Sequence, residues 1–114
     1  MENEFNDESK LIISIVNKGY ASEVVSEARK VGSKGAVILT GKGTALSDKK
    51  FFGFNVSPEK ELILILVKTE IALPVLKAIY AKVDVMSDAG GVVMAIPVSY
   101  SAGFIENNEL EIKE

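Results

Sequence analysis

The sequence predicts an α+β fold of the ferredoxin-like βαββαβ class, a four-stranded antiparallel sheet with two helices on one face. Three observations predict it. Four short runs rich in β-branched residues alternate with two segments of helical period between Lys10 and Val98. The run Leu62-Ile63-Leu64-Ile65-Leu66-Val67 is apolar at every position, so both faces of that strand want burial. The two helical segments suffice to cover one face, so something outside the chain is expected to cover the other.

Residues 1–9 read as a disordered, acidic lead-in without the basic start and apolar core of a signal peptide. Lys10 to Val16 reads as the first strand and Asn17-Lys18-Gly19 as a turn. Tyr20, Ala21, Val24, Val25, Ala28 and Val31 recur at helical spacing, and Gly32 stands where a helix C-terminal glycine belongs. Gly35 to Thr40 is a second strand; Gly41-Lys42-Gly43-Thr44 follows, and then a polar run to Lys50. Phe51-Phe52-Gly53-Phe54-Asn55-Val56 reads as a short strand or an aromatic loop tip, and Ser57-Pro58 breaks it. Glu61 to Lys68 is the third strand. Thr69 is a suitable N-cap for the second helix, with Glu70 in its first turn and Pro74 either early or at a kink. Ala72, Val75, Leu76, Ile79 and Val83 are its apolar stripe. Asp84 to Gly91 is a turn-rich connection. Val92 to Val98 is the last strand, where Pro97 indicates a strand end or an unpaired position. Residues 10–105 form the domain, and 106–114 are a charged tail.

At 114 residues the chain is expected to be one domain with a real core. Its net charge of −3, with no long basic run, argues against a nucleic-acid partner. The absence of Cys and His removes disulfides, thiolate and imidazole metal sites, and Cys- or His-based catalysis. No apolar run approaches the ~20 residues of a spanning helix, so a soluble cytoplasmic protein is expected. Fully burying a Leu, Ile or Val side chain contributes ~1.5–3 kcal/mol. Roughly five or six left wet on the bare face forfeit on the order of 10 kcal/mol, comparable with a whole domain's stability. Self-association into a closed homo-oligomer is the simplest remedy; a lid made by residues 45–60 is the alternative.

Gly41 and Gly43 directly follow an apolar strand, where backbone N–H groups can approach an anion. Thr40, Lys42 and Thr44 add two hydroxyls and a cation, and Lys60 is within reach of that turn. Gly90 and Gly91 precede the last strand and suit either a ligand approach or a plain turn. Lys49, Lys50, Phe51 and Phe52 are a candidate partner-binding tip. Asp84, Ser87 and Asp88 suit a hard cation, although a solvated turn is the plainer reading. Ser47, Tyr20, Tyr80 and Tyr100 have no activating neighbours in sequence. No nucleophile–base set emerges, so no enzyme is expected.

The ordered set Gly32-Ser33-Lys34-Gly35, Gly41-Lys42-Gly43, Val75-Leu76-Lys77-Ala78-Ile79 and Gly90-Gly91 before Val92-Val93-Met94-Ala95-Ile96-Pro97-Val98 resembles the PII signal-transduction family, over about Lys10 to Phe104. The resemblance implies a homotrimer whose sheets face one another. It implies ATP or ADP, sometimes with 2-oxoglutarate and Mg²⁺, held in clefts between subunits, and AMP is a further candidate effector. It places the signalling loop at 42–57 and the nucleotide cleft at Gly41, Gly43, Gly90 and Gly91. The regulated target it implies is a transporter, enzyme or transcription regulator, and nitrogen regulation is the family's commonest theme.

The chain departs from that pattern. Val92 follows Gly91 where the family usually has Lys, and Ser99 to Ile105 has no counterpart of two phosphate-reaching arginines. No Tyr lies between Gly41 and Val56, and the chain has no Gln. Hydrogen bonds to charged groups are worth ~1.5–3 kcal/mol each, so a triphosphate held without those cations binds ~10²-fold or more weakly. Two other readings share the fold: a trimer of the divalent-cation-tolerance type, which the lack of His and Cys disfavours, and an adaptor subunit that senses nothing.

Overall fold

The computed structural model describes residues 8–43, 59–83 and 89–103. The elements in chain order are β1 (Ser9–Asn17), α1 (Ala21–Lys30), β2 (Val37–Lys42), β3 (Glu59–Lys68), α2 (Thr69–Val83) and β4 (Val92–Val98). The strands make one sheet of order β2-β3-β1-β4 in which every neighbouring pair is antiparallel. This is the predicted fold class.

Period-two alternation sorts the side chains. Ile12, Ser14 and Val16 of β1 and Ile63, Ile65 and Val67 of β3 are buried with Val24 and Ala28 of α1 and Val75, Ile79 and Val83 of α2. Both helices therefore cover the same face. The alternate residues form the other face. Leu11 stands opposite Leu66 and Ile96, Ile13 opposite Leu64 and Met94, and Ile15 opposite Leu62 and Val92. Val37 and Leu39 extend this apolar layer beside Leu64 and Leu62. Val37 is 56% exposed and Val92 49%. The bare face is wider than expected, with eleven apolar side chains rather than five or six, because β4 contributes three and β2 two beside the three of each central strand.

Helix ends follow local chemistry. Gly32 has a φ of 114°, which lets the Gly32 N–H donate to the Arg29 carbonyl and the Ser33 N–H to the Ala28 carbonyl, closing α1. At the other end, the Glu61 carboxylate of β3 accepts from the N–H groups of Gly19 (2.9 Å) and Ala21 (3.1 Å). It thus supplies an acceptor and a negative charge at the N-terminus of α1.

Several expectations are corrected or resolved. Thr69 is the first residue of α2 rather than its N-cap, because β3 runs without a linker into the helix; the Thr69 N–H donates to the Glu8 carbonyl at 3.2 Å. Pro74 lies in the second turn of α2 and is exposed. β2 begins at Val37 and extends through Gly41 and Lys42, which pair with Lys60 and Glu59, so Lys42 belongs to a strand and not to the long loop. For the same reason β3 begins at Glu59, two residues before the expected start at Glu61. Pro97 falls on β4, an edge strand of this sheet, where proline is tolerated. Among the described residues no helix is long and apolar enough to cross a membrane.

Candidate functional site

Antiparallel pairing brings the end of β1, the end of β2, the start of β3 and the start of β4 to one edge of the sheet. Lys60 sits in its centre, with Asn17 opposite on one side and Gly41 on the other. Its Nζ donates to Asn17 Oδ1 at 2.7 Å. The glycines leave room for its stem: a Cβ on Gly43 would lie 3.3 Å from Lys60 Cγ and Cε. Lys18 Nζ lies 3.4 Å from Glu59 Oε1, both side chains being more than half exposed.

These residues line a cleft of about 300 Å³ formed by Lys18, Thr40, Gly41, Lys42, Glu59 and Lys60. Three lysines, one glutamate and one threonine are among its lining residues, cationic by count; Thr40, Lys42 and Glu59 alternate to the helix side of the sheet, and Lys60, bonded to Asn17, to the open side. Lys18 and Glu59 at its rim are more than half exposed, so their field is screened over ~8–10 Å at physiological salt. A compact anion entering it meets charge-assisted donors. The lining offers cations and a hydroxyl, with Glu59 engaged by Lys18, and no base is set beside a nucleophile. Among the described residues no group of three or more acidic residues is placed to hold a metal ion.

Of the residues singled out in the sequence, Thr40, Gly41, Lys42 and Lys60 line the cleft, and Gly43 adjoins it. Gly90 and Gly91 lie in the turn beside it, joined to β1 by the Asn17 N–H donating to the Ala89 carbonyl at 2.9 Å. They are not among the lining residues of the cleft. The Gly91 N–H donates to the Val83 carbonyl at 2.7 Å, and a Cβ at 91 would meet the Ile15 carbonyl oxygen at 2.6 Å. Glycine at 91 is thus required by packing against β1, whatever else the turn does. Thr44, Lys49, Lys50, Phe51, Phe52, Ser47, Asp84, Ser87 and Asp88 lie outside the described residues.

Lys18 and Glu59 were missed in the sequence as lining residues. The signal for both was topological: once β1 and β3 are antiparallel neighbours, the end of one adjoins the start of the other.

No protein-family model matches the chain, and no curated protein matches it in sequence. Solved structures do match. Arabidopsis thaliana PII bound to citrate superposes with a TM-score of 0.62 at 20% identity, covering 82% of this chain and 78% of that one. A PII-like signalling protein from Thermus thermophilus gives 0.62 at 16% identity, over 82% of this chain and 89% of that one. The chain has the PII-like fold. A Bacillus cereus protein related to NIF3 also matches, with a TM-score of 0.63 at 16% identity over 83% of this chain but 26% of its own length. The PII-like unit is therefore also found within a larger chain. In this PII-like sheet the lysine cleft sits where β2 ends, at the base of the segment that separates β2 from β3.

Proposed function

We propose that this chain is a PII-like regulatory protein and not an enzyme. It assembles as a homo-oligomer, a trimer in keeping with the fold, through the open face of its sheet. It binds a small anionic effector of the adenine-nucleotide class (ATP, ADP or AMP) at the lysine cleft. It passes the bound state to a target protein, such as a membrane transporter, through the segment 44–57.

The observation that carries the reading is the gathering of Lys18, Lys42 and Lys60 with Thr40 around one cleft at the root of that segment. A bound anion there contacts residues on both strands that the segment joins, so occupancy biases its conformation. The open face supports the assembly. Eleven apolar side chains, those on the edge strands close to half exposed, leave on the order of 10 kcal/mol of burial unrealised in a lone copy.

Thermal unfolding with ATP, ADP, AMP and citrate tests the sensing half. A ligand at 100 times its Kd adds about 2.7 kcal/mol of stability and raises Tm by several degrees. Lys42→Ala and Lys60→Ala together should abolish that rise. If none of the four anions moves Tm, or if the double variant responds like the parent, the cleft is not the effector site.

A further inference from the structure

A second, larger groove of about 540 Å³ lies away from the lysine cleft, lined by Ser22, Val25, Ser26, Arg29, Lys30 and Ile38. It exists because α1 packs over β3 and against α2, leaving the helix-side face of β2 uncovered. Ile38 shows this directly. It stands opposite the fully buried Ile63, so it points to the helix side, yet it is 47% exposed. The floor is apolar, from Val25 and Ile38. One wall carries two cations, Arg29, whose Nε donates to the Lys34 carbonyl at 3.3 Å, and Lys30, paired with Glu27 at 3.2 Å; beside them runs the edge of β2, whose outward backbone groups invite an extended partner.

We propose that this groove is occupied by residues 106–114 of the same copy. The segment reads Glu106-Asn107-Asn108-Glu109-Leu110-Glu111-Ile112-Lys113-Glu114. In an extended chain Leu110 and Ile112 fall on one side, an apolar pair for the apolar floor of Val25 and Ile38. Its four Glu and one Lys give a net −3, equal to the net charge of the entire chain. The acidic lead-in, with Glu2, Glu4, Asp7 and Glu8, carries as much negative charge, but only 106–114 joins its carboxylates to two apolar side chains at strand spacing, Leu110 and Ile112.

The path is short enough. β4 ends with Val98 opposite Ser9, which in turn pairs with Lys68. Gly32, Ser33 and Lys34, just past α1, adjoin Lys68, so β4 delivers the chain to the end of the sheet where Arg29 and Lys30 lie. Three strand spacings of ~4.8 Å, roughly 14 Å, separate β4 from β2. The six residues Phe104 to Glu109 span up to about 20 Å. Tethering at this length supplies an effective concentration on the order of millimolar, which favours the chain's own segment over a free competitor.

The chain has no Cys, so cross-linking of the full chain provides the test. Ser26→Cys with Asn108→Cys leaves the apolar anchors and every charge in place, and Lys77→Cys with Asn108→Cys, on exposed α2, is the control. Under mild oxidant the first pair should close within single chains at least about tenfold faster than the control. Adding Arg29→Glu should slow it by about two- to fivefold, the range of an exposed ion pair. Equal rates for the two pairs would overturn the proposal. So would cross-links found only between copies, or a rate indifferent to the charge at position 29.

Discussion

Gly91→Ala is the sharpest single perturbation of the site's frame. The new methyl would lie 2.6 Å from the Ile15 carbonyl oxygen and 2.7 Å from Val16 Cγ1. Non-bonded contacts settle near 3.5–4.0 Å, so the turn has to withdraw by roughly 1 Å. Neither obstacle yields easily: one is β1 backbone within the β1–β4 ladder, the other a side chain buried completely in the core. Withdrawal strains the Gly91 N–H to Val83 bond at 2.7 Å and the Asn17 N–H to Ala89 bond at 2.9 Å. Overpacking costs about 1–3 kcal/mol and a weakened hydrogen bond about 1 more, giving a loss of about 2–4 kcal/mol. Urea unfolding at fixed protomer concentration checks it. With m of ~2 kcal/mol/M the midpoint should fall by about 1–2 M. Gly43→Ala is the control, since its methyl meets the flexible stem of Lys60 at 3.3 Å and should cost no more than about 0.5 kcal/mol. A Gly91→Ala protein as stable as the parent, or a Gly43→Ala protein that loses more, would refute the reasoning.

Further outcomes follow from other contacts. Glu61→Ala removes the acceptor for the Gly19 and Ala21 N–H groups and should destabilise by about 0.5–2 kcal/mol, while Glu61→Gln retains most of that; urea midpoints separate the two. Gly32→Ala has steric room, the nearest atom being Ile71 Cδ1 at 3.7 Å, but forces a residue with a Cβ to a φ of 114°. It should cost about 1–2 kcal/mol in the same assay. Effector affinity at the lysine cleft should weaken steadily as salt is raised across about 0.05–0.5 M, because Lys18 and Lys42 are solvent-exposed; calorimetric titration at each salt reads this, and a salt-independent Kd would speak against lysine capture.

The fold was legible because the unbroken apolar run Leu62–Val67 and the helical spacing of Val24, Ala28, Val75 and Ile79 are strong, local signals. The two-sided character of β3 also disclosed the open face. Its extent was not legible, since whether Val37, Leu39, Val92 and Met94 share one face depends on strand register, which adjacent residues do not encode. The cleft was half legible. Thr40, Gly41, Lys42 and Lys60 announced themselves by glycines after a strand. Lys18 and Glu59 did not, because each looks like a solvated turn residue until the ladder joins distant segments. Gly91 illustrates the reverse case: a glycine that looks ligand-facing in sequence is explained by a carbonyl oxygen contributed 76 positions earlier, at Ile15.

The account rests on the open apolar layer being shielded by other copies, and sedimentation equilibrium of the full chain at micromolar concentration tests that most directly. A stable closed oligomer is predicted, dissociating when Leu64→Glu places a charge at the centre of the layer. A folded, non-associating monomer of 12.3 kDa would contradict it.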